Sequence, residues 1–128
     1  MRLLLDTHVL IWSLENAEAL PTAVQGVLAD NAHEIFVSAA TIWEIAIKAS
    51  RKRRDFSKDA LKVVQALPTL GYTELPVYAK HSALVQSLPL IHQDPFDRIL
   101  VAQAAAEQLI LVTDDRLIRQ YPVQTWYG

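Results

Sequence analysis

The chain has 128 residues, no cysteine, a formal net charge of −2, and 52% hydrophobic against 20% charged residues. This fits one globular domain over residues 1–128 and excludes a disordered chain. It also excludes a constitutively basic nucleic-acid binder, a disulfide or zinc–thiolate framework and thiol catalysis. The first strand is expected at 2–5, where the leucine run ending at Asp6 reads as buried on both faces. His8 to Leu14 reads as a short helix. Pro21 opens a second helical stretch through Ala29, proline suiting a first turn. Glu34 to Ser38 is rich in β-branched and aromatic residues and predicts a second strand. A helix from Ala39 to about Arg51 follows, with Ile42, Ile45, Ala46 and Ala49 at the spacing of one buried face. Lys58 to Leu67 predicts a helix ending near Pro68 and Gly71, and Tyr72 to Val77 a third strand. Tyr78 to Ser87 reads as helix, broken at Pro89. Asp94-Pro95 opens an alanine-rich helix to about Gln108. Ile110 to Thr113 is a fourth strand, Asp115 to Arg119 a short helix, and Val123 to Trp126 a last strand.

Helices alternating with apolar strands predict an α/β fold, a parallel sheet of about five strands with helices on both faces. The opening apolar run is interrupted by Asp6 and His8 too early for a signal peptide. No apolar stretch is long enough for a membrane span. With no cysteine, these features fit a cytoplasmic protein.

In open α/β sheets, ligands bind beyond the carboxyl ends of the strands. Asp6 ends the first strand there, and Asp114 and Asp115 follow the fourth. Asp97 lies in the first turn of the helix entering the fourth strand, and Glu44 in the helix after the second. Each acid alone has a plainer reading. Asp94 can cap its helix, with Pro95 first and Asp97 three residues after the cap. Asp6 and Asp114 or Asp115 can cap as well. Glu44 can be an exposed partner of Lys48 at i+4, worth only about 0.3–0.5 kcal/mol, although apolar Ile42, Trp43, Ile45 and Ile47 crowd around it.

Four segments taken together carry a resemblance: Leu4-Leu5-Asp6-Thr7-His8-Val9-Leu10, Ser38-Ala39-Ala40-Thr41-Ile42-Trp43-Glu44-Ile45, His92-Gln93-Asp94-Pro95-Phe96-Asp97-Arg98 and Leu111-Val112-Thr113-Asp114-Asp115. In order and approximate spacing the chain resembles the PIN-domain ribonucleases, and within them the VapC-type toxins of bacterial type II toxin–antitoxin pairs. The resemblance implies that Asp6, Glu44 and Asp97 are the principal metal-binding and catalytic acids, with Asp115 the fourth in a Thr-x-Asp motif with Thr113. It implies a supporting role for Thr7, and for Asp94 a cap or supporting role. Asp114 stands beside Asp115 and competes with it; spacing from Thr113 favours Asp115. The implied activity is endoribonuclease cleavage leaving a 5′-phosphate and a 3′-hydroxyl. The implied partners are an RNA substrate, a small cognate antitoxin and a second copy of the chain.

An all-carboxylate cluster suits Mg²⁺ or Mn²⁺ and would make a poor zinc site. Such ions neutralise the acids, bind the scissile phosphate and activate a water for in-line attack. Without metal, crowding should raise the pKa of some of the acids. For the RNA backbone, the densest positive run is Lys48, Arg51, Lys52, Arg53, Arg54 and Lys58; it grips phosphates or is a solvated helix end. Arg98 and Arg116 adjoin site acids and contact phosphate or pair with a carboxylate. Trp12, Trp43, Trp126 and Tyr127 fit core or interface packing better than base stacking. His8 and His92 flank the motifs without metal-ligand spacing, which suits a supporting or structural role.

Competing enzymes fail on spacing. A receiver domain needs an acidic pair after the first strand and a lysine after the last, and a haloacid-type phosphatase needs Asp-x-Asp where Asp6-Thr7-His8 stands. A catalytically silent nucleic-acid- or partner-binding module of the same fold should lack one of the acids, and none is missing. A small DNA-directed nuclease would share the chemistry, but this short chain has little room for apparatus to grip branched DNA.

Overall fold

The structure is a computed structural model and describes residues 1–51 and 59–128. Five parallel strands, β1 (Arg2–Leu5), β2 (Glu34–Ser38), β3 (Tyr72–Leu75), β4 (Ile110–Val112) and β5 (Thr125–Trp126), form one sheet in the order β3-β2-β1-β4-β5. β1 is central, and Leu3, Leu4 and Leu5 are all fully buried. Because side chains alternate along a strand, Leu3 and Leu5 join one core and Leu4 the other. This is why β1 is uniformly apolar.

The helices are α1 (Thr7–Glu15), α2 (Thr22–Ala29), α3 (Ala39–Ser50), α4 (Ala60–Leu70), α5 (Ala79–Leu84) and α6 (Pro95–Glu107). Leu10, Val24, Ile45, Val63 and Leu67 carry α1 to α4 onto the face of Leu3 and Leu5. The opposite face, around Leu4 and Leu111, is covered by α6 through Leu100, Val101 and Ala104, with Ile118 and Tyr121 beside it; α5 packs on α6. From β1 the chain runs outward through β2 and β3, and β4 then returns to the other side of β1. The carboxyl ends of β1 and β4 therefore flank the point where the strand order reverses, the crevice in which such sheets bind ligands.

Some boundaries differ from expectation. α4 continues through Pro68 to Leu70 and ends at Gly71, whose φ of 78° is left-handed and whose N–H donates to the Leu67 and Pro68 carbonyls. In the last turn Pro68 sacrifices a single backbone bond, so the glycine sets the end. β3 stops at Leu75 because Pro76 has no N–H to add to the ladder. Val123 donates its N–H to the Tyr121 carbonyl (2.8 Å), so β5 pairs only from Thr125. The helix expected over Asp115 to Arg119 is a turn followed by a 3₁₀ segment, Ile118–Gln120. The expected start of α4 at Lys58 lies outside the described residues. Among the described residues, no helix is long and apolar enough to cross a membrane.

Candidate active site

Asp6 is the cap of α1 and is buried. Its Oδ1 accepts the Val9 N–H at 3.0 Å and its Oδ2 the Thr113 hydroxyl at 2.5 Å. One oxygen thus satisfies the helix terminus, while the other faces the chain leaving β4. The capping and site readings of this acid are compatible. Burial pushes the Asp6 carboxyl above its ordinary pKa, against the lowering effect of the Thr113 and Val9 hydrogen bonds.

Ser38 caps α3 by accepting the Ala40 N–H at 3.0 Å, which starts the helix immediately after β2. In the second turn, Glu44 is buried against the start of α1. Thr7 donates to its Oε1 at 2.7 Å, and Lys48 pairs with its Oε2 at 2.8 Å. The i+4 pair with Lys48 is therefore present, but the acid is not on the surface. Arg51, at the end of α3, shares with Glu44, Lys48 and Gln93 a cleft of about 420 Å³.

Asp94 caps α6 through the Phe96 N–H (2.8 Å), with Pro95 in the first turn. Asp97, one turn on, is pushed up to about 7. Desolvation is the main cause, and the charges of Asp94, Glu44 and Asp6 add to it against His92. Asp115 receives three backbone or ring donors: Leu117 (2.8 Å) and Ile118 (3.0 Å) on Oδ1 and His92 Nε2 (3.2 Å) on Oδ2. Partial burial raises its pKa, but the Ile118, His92 and Leu117 hydrogen bonds outweigh that and leave it lowered. Its own N–H donates to the Thr113 hydroxyl at 3.0 Å. Asp114 is the more open acid: its side chain is 71% exposed and lies 3.9 Å from Arg119.

Asp6, Glu44, Asp97 and Asp115 are therefore linked by hydrogen bonds and by mutual charge. Thr113 joins Asp6 to Asp115, and Asp97 senses both Glu44 and Asp6. His92 belongs to this centre more closely than sequence spacing indicated. Its Nε2 is 3.0 Å from Asp97 Oδ2 and 3.2 Å from Asp115 Oδ2. Among the described residues, His92, Asp97 and Asp115 are the set whose potential ligand atoms all lie within 4.8 Å of one another. The local signal that could have found it is His92 two residues before the cap, where its Nδ1 accepts the Asp94 N–H at 3.1 Å.

The expected substrate contacts are placed unevenly. Arg98 donates to the Pro89 and Val85 carbonyls and to the Tyr121 hydroxyl, so its guanidinium secures the loop before α6 and, among the described residues, does not pair with an acid. Lys52, Arg53, Arg54 and Lys58 lie outside the described residues. Trp43 is 64% exposed and meets Phe96 edge-to-face, so it is not a core residue. Those two rings border an apolar groove of about 540 Å³ beside the acids. On the other flank, Asp6, Asp114 and Asp115 share a cleft of about 300 Å³ with His8, Trp12 and Tyr127.

Residues 3–124 match the model of the PIN domain. The chain belongs to the PIN-domain family. This PIN domain is 33% identical to "Ribonuclease VapC22" of Mycobacterium tuberculosis (strain ATCC 25618 / H37Rv), over 96% of this chain and 97% of that protein. Its fold also matches the structure of VapBC2 from Rickettsia felis bound to a promoter DNA fragment, with a TM-score of 0.73, 18% identity and 98% of both chains covered. DNA-bound VapBC from Salmonella typhimurium matches with a TM-score of 0.71 and 17% identity, over 98% of this PIN domain and 97% of that chain. The resemblance to VapC-type proteins read from the four segments thus extends over the whole domain.

Proposed function

We propose that this PIN domain is a metal-dependent endoribonuclease and the toxin of a toxin–antitoxin pair. The observation that carries the reading is the convergence of buried or half-buried carboxylates at the sheet's switch point, with the Asp97 pKa raised to about 7. A protein tolerates like charges packed this way when a cation is to neutralise them. The donors are oxygens throughout, which suits Mg²⁺ or Mn²⁺. Asp6, Glu44, Asp97 and Asp115 would hold the ion, which supplies charge neutralisation at the scissile phosphate and an activated water.

The chain's own groups do the rest. Thr113 and Thr7 fix the rotamers of Asp6 and Glu44 by hydrogen bonds. Arg51, lining the cleft with Glu44 and Lys48, offers positive charge to the RNA backbone. A small antitoxin is the proposed protein partner, supported by the similarity to VapC22 and to chains of VapBC complexes; self-association as a homodimer in the cytoplasm completes the reading.

The test is cleavage of RNA by purified protein. Cutting is expected with Mg²⁺ or Mn²⁺ and should stop with a chelator. Asp6→Asn and Asp97→Asn should each reduce it by about 100-fold or more, the scale for losing a group that stabilises transition-state charge. Full metal-dependent cleavage by both variants would refute the assignment.

A further inference from the structure

We infer that His92 is a positioning residue: a hydrogen-bond donor, held by Tyr121 and Asp94, that sets Asp97 and Asp115 for a divalent cation without ligating it. The proposal rests on the metal-dependent reading above and assigns a role to residues outside its four acids.

The ring's hydrogen positions follow from its partners. The Asp94 backbone N–H donates to His92 Nδ1 at 3.1 Å, so Nδ1 supplies a lone pair and Nε2 carries the hydrogen. Nε2 lies 3.0 Å from Asp97 Oδ2 and 3.2 Å from Asp115 Oδ2. The hydrogen bond goes to Asp115 Oδ2, and Asp97 Oδ2 lies against the same nitrogen as a close electrostatic contact. A ring nitrogen in this state has no lone pair for a cation. The close grouping of His92, Asp97 and Asp115 is therefore two acids and the donor that spans them.

The donor is itself anchored. The His92 backbone N–H donates to the Tyr121 hydroxyl at 2.8 Å, and Arg98 Nη1 donates to the same oxygen at 3.0 Å. Tyr121 is buried in the core beneath α6. Arg98 also holds the carbonyls of Pro89 (2.8 Å) and Val85 (3.0 Å), at the two ends of the turn leading to His92. Asp97 on α6 and Asp115 after β4 are 18 residues apart in sequence and do not share an element. The imidazole touches both. Fixing two ligand carboxylates before the ion arrives removes ordering from the binding step, and losing such outer partners typically weakens metal affinity about 10–100-fold.

The experiment is titration of the purified chain with Mn²⁺ alone, read as a dissociation constant by calorimetry, with folding checked by circular dichroism. His92→Phe keeps a ring and removes the donor; it should raise Kd about 10-fold or more. His92→Gln restores an N–H donor and should recover most of the affinity. Tyr121→Phe loosens the anchor and should raise Kd by a smaller factor. If His92 were merely a packing group, His92→Phe would leave Kd unchanged; if it were a ligand, ring-nitrogen hyperfine coupling to Mn²⁺ would appear in pulsed EPR of the loaded chain, and that coupling would overturn the proposal. Wild-type affinity in folded His92→Phe, or equal losses in the Phe and Gln variants, would overturn the proposal while leaving the nuclease reading in place. Should His92→Phe fail to fold, an unchanged Kd in Tyr121→Phe overturns it. Absence of Mn²⁺ binding by the wild-type chain would overturn both readings.

Discussion

Thr113 shows how much of the centre depends on one small side chain. It is fully buried, and its hydroxyl donates to Asp6 Oδ2 while accepting the Asp115 N–H. Only a group with donor and acceptor on one atom can close both links. Thr113→Val preserves shape and removes both, leaving a buried carboxylate oxygen and a backbone N–H short of partners. A loss of about 1–3 kcal/mol is expected in urea denaturation, with Thr113→Ser closer to wild type. Equal stability of the valine variant would mean that water replaces the hydroxyl. The same hydroxyl holds the backbone of residue 115, the acid that spacing from Thr113 favoured, while the side chain of Asp114 is largely in solvent. Sequence reading could reach this because Thr113 and Asp115 are local to one another. It could not reach the His92 link to Asp115, 23 residues away, because that contact depends on how the loop before α6 folds over the end of β4.

At the level of elements, the strands were readable because burial on both faces imposes uniform apolarity, as in Leu3-Leu4-Leu5 and Ile110-Leu111-Val112. A helix start was readable where a capping side chain precedes the run, as at Asp94; the cap at Ser38 was read only as the end of its strand. The boundary differences lie where one local bond overrides another local signal: the Gly71 cap carries α4 past Pro68, and the Val123 N–H is diverted to Tyr121 ahead of β5. α2 carries a weakness of a different kind. Gly26 lies within this helix, and a Cβ added there meets nothing within 4 Å. Glycine in a helix interior costs roughly 0.5–1 kcal/mol relative to alanine, through backbone entropy lost on folding. Gly26→Ala is therefore expected to stabilise the domain by about that amount, seen as a higher midpoint in urea at unchanged slope. RNA cleavage should be unaffected, since Gly26 lies outside the acid centre. A lower midpoint would mean that α2 packs more tightly than its open surface indicates.

Across the whole molecule, the acid centre sets function against stability. Asp97 has its pKa raised from 3.8 to about 7, and Asp6 is raised as well. A carboxyl whose folded pKa lies above its unfolded value binds more protons folded than unfolded. Its favourable contribution is complete below the unfolded pKa, near 4, and is lost as pH rises through the folded value, near 7 for Asp97. Asp115 and Glu107 are lowered and have the opposite sign; their contributions are present above about pH 4 and fade only below it. Between pH 5.5 and 8 the balance is therefore set by Asp97, with Asp6 acting in the same direction. In a chelator, the wild-type chain should lose stability over that range. Asp97→Asn, which has no charge to bury, should show a flatter profile. At pH 8 the variant should be the more stable of the two, by on the order of 2–4 kcal/mol, from a linkage of 1.36 kcal/mol per pKa unit. Added Mn²⁺ should restore the wild-type chain at pH 8 and do little for the variant, because a cation bound only by the folded state stabilises it by mass action. Thermal unfolding of both chains at pH 5.5 and 8, each with chelator and with Mn²⁺, gives the comparison. Parallel pH profiles for the two chains in chelator would show that Asp97 does not carry the strain; a variant stabilised by Mn²⁺ as strongly as the wild type would show that the cation does not relieve it through Asp97.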